Sequence, residues 1–121
     1  SSTLATETAG LAAAEAVLDV YETNPVIGHL GRAGERLFGT LAALAERYPT
    51  VATGVRGIPE MCYLECVKPE LSTALASASV HRGLLFKRDA YNYVSLAHTD
   101  DVLSKVSERL SDAMEELAGQ C

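Results

Sequence analysis

Residues 83–110, GLLFKRDAYNYVSLAHTDDVLSKVSERL, contain the change of rhythm on which the fold depends. Gly83 closes a preceding helix. Leu84, Leu85 and Phe86 form a short apolar run, and Lys87-Arg88-Asp89 interrupts it. Tyr91, Tyr93 and Val94 rebuild an extended segment that ends at Ser95-Leu96-Ala97. His98-Thr99-Asp100-Asp101 then opens the last helix. Thr99 suits the N-cap, because its hydroxyl accepts a bond from a first-turn amide with no partner inside the helix. Asp100 and Asp101 place negative charge at the positive end of the helix dipole. The stretch therefore reads as strand, polar turn, strand, helix.

Upstream, Thr6 to Tyr21 is Ala-rich. Ala9, Ala12, Ala13, Ala16, Val17 and Val20 make an apolar stripe at helical spacing. So small a stripe fits packing against a larger body, and no such body remains in the chain. Asn24-Pro25 reads as a start signal, Asn as N-cap and Pro as first helical residue. The helix it opens runs to about Tyr48 and carries Val26, Ile27, Leu30, Leu37, Phe38, Leu41, Leu44, Ala45 and Tyr48 on one face. Its glycines, Gly28, Gly31, Gly34 and Gly39, each cost up to about 1 kcal/mol relative to Ala. Thr50–Val55 and Met61–Val67 read as two strands of a hairpin, with Arg56-Gly57-Ile58-Pro59 as the turn. Lys68-Pro69-Glu70 starts a third helix, with Leu71, Ala74, Leu75 and Ala78 inward. The last helix, Thr99 to about Leu117, turns Val102, Leu103, Val106, Leu110, Ala113, Met114 and Leu117 inward. The predicted order is α-α-β-β-α-β-β-α. It implies an α/β (α+β) domain with a small, mostly antiparallel sheet covered by helices on one face.

The chain has 121 residues, enough for one modest domain, and 48% of them are hydrophobic. The formal net charge of −6 and the scattered basic residues argue against nucleic acid. No apolar run has the length of a membrane span and no signal peptide is visible, so a cytoplasmic location is expected. The first residue is Ser1, which suggests processing or a piece of something longer.

Chemistry-bearing motifs are few. There is no phosphate-binding glycine loop and no Gly-x-Ser-x-Gly elbow. The three cysteines, Cys62, Cys66 and Cys121, lack a zinc-like second pair and read as reduced thiols. His29 and His81 fall within helices. His98 sits at a strand-to-helix corner, where the plain reading is a local bond at the helix entrance. No catalytic residue and no metal site are assigned.

Three segments nevertheless resemble the C-terminal part of class III, fold-type I pyridoxal-phosphate (PLP)-dependent aminotransferases, nearest the glutamate-1-semialdehyde aminomutase branch. Ser2-Thr3-Leu4-Ala5-Thr6-Glu7-Thr8 with the Ala-rich helix resembles the threonine loop and the helix leading into the small domain. Ala43–Pro49 and Val55-Arg56-Gly57 resemble the long small-domain helix and the "RG" turn. Arg82–Leu85 with Tyr93–Val102 resembles the closing strand and its "S-x-A-H-T-x-x-D-[IV]" entry into the last helix.

The resemblance implies residues 1–23 as a lead-in helix from a large domain and residues 24–121 as the small domain. It implies a parent enzyme, aminotransferase or 2,1-aminomutase, that uses PLP on an amino acid or amino-aldehyde substrate. The lysine and the aspartate that hold that cofactor would precede Ser1; Lys68, Lys87 and Lys105 match neither position, so the chain alone is expected to be inactive. Thr3, and more weakly Ser2, would contact the cofactor phosphate of a neighbouring subunit. The implied partners are the rest of the chain and a second subunit in a homodimer. Two departures stand out. The last strand, Asn92–Leu96, lacks a carboxylate-gripping arginine, and Arg56-Gly57-Ile58-Pro59-Glu60 lacks the usual second glycine. The alternative is a non-catalytic binding or regulatory module that keeps this fold.

Overall fold

The computed structural model describes residues 7–120. Its elements are α1 (Thr8–Thr23), α2 (Val26–Arg47), β1 (Ala52–Ile58), β2 (Met61–Cys66), α3 (Pro69–His81), β3 (Asn92–Tyr93) and α4 (Asp100–Ala118). The strands form one antiparallel sheet in the order β1-β2-β3. The mixed class and antiparallel pairing are as the sequence implied. One predicted strand is absent: Leu84–Phe86 joins no ladder.

The backbone explains that absence. Gly83 adopts φ +72, and the Leu84 amide donates to the Ser79 carbonyl at 2.9 Å, the usual close of a helix ending in a left-handed glycine. The Lys87 amide donates to Asn92 Oδ1 at 2.6 Å. Capping and side-chain bonds thus hold both ends of the run. Asp89, at φ 53, turns the chain back, and its carboxylate accepts from the Ser72 hydroxyl at 2.7 Å.

Alternation along β2 sets the two faces of the sheet. Cys62 and Leu64 are buried, while Met61, Tyr63 and Glu65 are half-buried. The hairpin is tighter than predicted. Ile58 pairs with Met61, so Arg56–Ile58 belong to β1 and the turn is Pro59-Glu60. The strand continues because Gly57 takes φ +105, where a Cβ would lie 2.2 Å from the Met61 carbonyl oxygen.

One core lies between the inner sheet face and the helices. It joins Leu41, Leu44, Ala45 and Tyr48 of α2, Leu75 of α3, and Leu110, Ala113, Met114 and Leu117 of α4 to Val51, Ala52, Cys62 and Leu64. Fully burying a side chain such as Leu75 or Met114 contributes about 1.5–3 kcal/mol each. A smaller cluster joins Ala33, Val94 and Leu103. Gly34 lets α2 approach the hairpin, since a Cβ there would lie 2.7 Å from the Pro59 carbonyl carbon and 2.8 Å from the Glu60 nitrogen.

Two helix starts differ from expectation. The α1 helix begins two residues late, with the Glu7 carboxylate accepting the Gly10 amide at 3.0 Å, and extends through Thr23. Asn24 then serves the end of α1, its side-chain amide donating to the Val20 carbonyl at 3.2 Å, and α2 starts with no side-chain cap. Pro25 favours an extended residue before it, and Asn24 has φ −129 and ψ 148. At the last helix the expectation holds: Thr99 Oγ1 accepts the Val102 amide at 3.4 Å, with Asp100 and Asp101 in the first turn.

No residue of α1 is buried, and Leu11, Val17, Leu18 and Tyr21 are largely exposed. Its contacts with other elements are to α2. No helix among the described residues is long and apolar enough to cross a membrane.

Candidate functional site

The segment from Val94 to Asp100 is held from two sides. His29, on α2, donates from Nε2 to the Ser95 carbonyl at 3.3 Å. The Ser95 amide donates to His98 Nδ1 at 3.0 Å, which leaves Nε2 as the protonated nitrogen of the neutral ring. Two histidines distant in sequence thus meet on one turn. His98 makes the local bond expected of it, and the long-range bond from His29 had no signal in the sequence. Arg36, about two helical turns further along α2, donates to Asp100 Oδ1 at 2.5 Å and to Ser104 Oγ at 2.7 Å. α2 therefore fastens the entrance of α4. These groups are exposed, so the ion pair contributes at most about 1 kcal/mol. Their arrangement positions a turn, and the Ser95 hydroxyl also lies 3.0 Å from His98 Nδ1, the nitrogen that already accepts the Ser95 amide.

Behind this turn lies a cavity of about 170 Å3 between α2, α4, β2 and the 84–86 segment. Leu37, Leu41, Leu64, Phe86, Leu103 and Val106 are among the apolar side chains of its wall, and His98 lines it too.

The outer face of the sheet is uncovered. Tyr63 and Tyr91 meet edge to face, 5.4 Å between centroids and 72° between planes. Tyr93 and Ile58 lie exposed on the same side, at 63% and 56% of their surface. Arg56 reaches Glu65 with Nε at 3.0 Å and Nη2 at 2.7 Å, and the Thr53 hydroxyl joins at 2.8 Å. The bond from Arg56, then that from Thr53, holds the Glu65 carboxyl below its usual range, while the same bond raises Arg56.

The proposed phosphate contacts, Ser2 and Thr3, lie outside the described residues. None of the lysines the sequence set aside, Lys68, Lys87 or Lys105, lines the cavity. Lys105 instead pairs with Asp101 at 2.6 Å. A PLP site needs a lysine amine in a pocket, an acid for the ring nitrogen and a phosphate cradle. The described residues do not assemble that set. Among them no group of three or more His, Cys, Asp or Glu is placed to hold a metal ion. Cys62 and Cys66 are free thiols. Burial raises both, and for Cys66 the Asp89 charge adds to it, pushing the thiol up to about 11. Both are therefore poor nucleophiles.

No protein-family model and no curated protein matches the chain by sequence. Eight chains of solved structure match it. One is the PLP internal aldimine form of the FumI protein of Sphingopyxis sp. MTA144, with a TM-score of 0.74 at 20% identity. The match covers 83% of this chain and 25% of FumI. The chain thus has the fold of about a quarter of a PLP-containing protein.

Proposed function

We propose that this chain is the C-terminal small domain of a class III, fold-type I PLP-dependent aminotransferase or aminomutase, with residues 1–23 as the helix that leads in from the cofactor domain. The fold shared with one quarter of FumI is the observation that carries the reading. Two features of the chain support it. The family-like run Tyr93–Val102 forms the strand-to-helix entry the resemblance requires. An α1 with no buried residue suits a helix that packs on a body outside these residues. The parent would act in the cytoplasm as a homodimer on an amino acid or amino-aldehyde substrate. Thr3 would meet the cofactor phosphate of the neighbouring subunit through its hydroxyl and amide. PLP, held by the parent's own lysine, would supply the electron sink. This chain would supply a closing surface, its uncovered sheet face turned toward the rest of the protein.

Co-expression of the 121-residue chain with the preceding portion of its own gene product tests this. The expected result is an assembly that binds PLP and transfers amino groups, with neither piece active alone. Catalysis by the chain alone would contradict the reading, as would an assembly that takes up no PLP. The alternative, a non-catalytic binding or regulatory module, rests on the same uncovered sheet face and bare α1. A saturable complex with an unrelated protein that competes with the parent's large domain would favour it.

A further inference from the structure

We propose that the cavity behind the Val94–Asp100 turn binds a small, uncharged, benzene-sized molecule that carries one hydrogen-bond acceptor. The inference does not depend on the aminotransferase reading. Its first support is size. The cavity measures about 170 Å3, and an apolar space of roughly 150 Å3 is enough to admit benzene.

The second support is the wall. Leucine, valine and phenylalanine side chains form most of it, and no Asp, Glu, Lys or Arg lines it. A charged ligand would lose its hydration without a partner of opposite sign, so a neutral one is favoured.

The third is the count of polar groups. Asn92 lines the cavity but is spent. Its Oδ1 accepts the Lys87 amide, and its Nδ2 donates to the carbonyls of Lys87 and Ala90 at 3.1 and 3.2 Å. Tyr93 borders the cavity from the sheet edge, with its side chain largely exposed. His98 Nδ1 is taken by the Ser95 amide. Of the His98 ring, Nε2–H has no bond among the described residues, so it is the donor left to meet a ligand with one acceptor.

The fourth is access. Leu84–Phe86 forms one wall without ladder bonds, and Leu85 within it is 86% exposed. The cavity therefore borders solvent at Leu85, while Leu84 and Phe86 stay packed on the core.

Titration of the 121-residue chain with acetophenone and with toluene, followed by NMR, tests the proposal. Both should bind saturably, with nuclear Overhauser effects to the methyls of Leu37, Leu103 and Val106. Acetophenone should bind roughly three- to tenfold more tightly than toluene, the worth of one net hydrogen bond. His98→Leu should erase that preference while toluene affinity persists. Val106→Phe should fill the space and remove both. Shifts that grow without saturation would overturn the proposal, as would ligand contacts away from these methyls or equal affinity for the two probes. Should either variant fail to fold, the wild-type contacts and the wild-type preference decide the matter.

Discussion

Single residues show where two opposing effects have to be weighed. Gly34 sits inside α2, where helix propensity alone favours Gly34→Ala by up to about 1 kcal/mol. A Cβ there would lie 2.7–2.8 Å from the backbone of Pro59 and Glu60, which cannot swing aside. The clash wins, and Gly34→Ala should lower stability by about 1–3 kcal/mol in urea unfolding. Ser79 presents the reverse case. It is fully buried and its hydroxyl has no partner among the described residues. Ser79→Ala should raise stability by about 1 kcal/mol, and a loss of that size would show that the hydroxyl is satisfied. Glu65 gives a pH dependence. Its carboxyl is held low in the folded chain, so the unfolded chain binds its proton first as pH falls. The contribution is present above the ordinary Glu range and is lost on acidification through the lowered folded value. The pair is exposed, so the effect should be small and screened by salt. Glu65→Gln should flatten that part of the acid-unfolding curve at low ionic strength. Thiol reactivity offers a fourth check. With Cys121→Ser in place, Cys66 should react with iodoacetamide near pH 8 roughly 100-fold more slowly in the folded chain than in urea, since little of it is thiolate.

Among the elements, legibility followed the strength of the repeating signal. α2 and α4 carry long apolar stripes, and their burial matches the sequence closely at Leu41, Leu44, Leu103, Leu110 and Met114. The Thr99 cap and the Gly83 stop were readable because each has a local chemical cause. The hairpin turn was misplaced by two residues. Gly57 looked like turn chemistry, yet its positive φ serves a close backbone approach inside a strand. Leu84–Phe86 looked like a strand because it is short and apolar, and such runs do not reveal whether their amides will find a ladder. The groups that hold its ends, Ser79 on the Leu84 amide and Asn92 on the Lys87 amide just beyond it, each sit five residues from the amide they accept. The cavity was not legible at all, since it arises from four elements meeting in three dimensions. The α1 helix follows its own propensity and buries nothing. Removing residues 1–23 should therefore change the unfolding free energy of the remainder by less than about 1 kcal/mol. A larger loss would mean that α1 is covered within this chain and would weaken its assignment to a neighbouring body.

At the scale of the molecule, three surfaces expose large apolar side chains among the described residues: α1, which touches only α2 among the elements, the outer sheet face with Tyr93 and Ile58, and the wall at Leu85. A domain that evolved to stand alone rarely exposes so many large apolar side chains together. Under the proposed function these surfaces would meet a cofactor domain and a second subunit; the fold shared with a quarter of FumI is what supports that reading. Within that setting Thr3→Ala in the parent should weaken PLP binding roughly 10- to 100-fold, as expected for losing a hydrogen bond to a charged phosphate, and leave the folding of residues 24–121 unchanged. The central claim, that this chain is the small domain of a PLP-dependent enzyme, is tested most directly by the intact mass and cofactor content of the natural gene product, captured with an antibody raised against this chain. The account predicts a product several times heavier than 12.8 kDa, yellow with bound PLP. A colourless product of 12.8 kDa that stays colourless when PLP is added would contradict it.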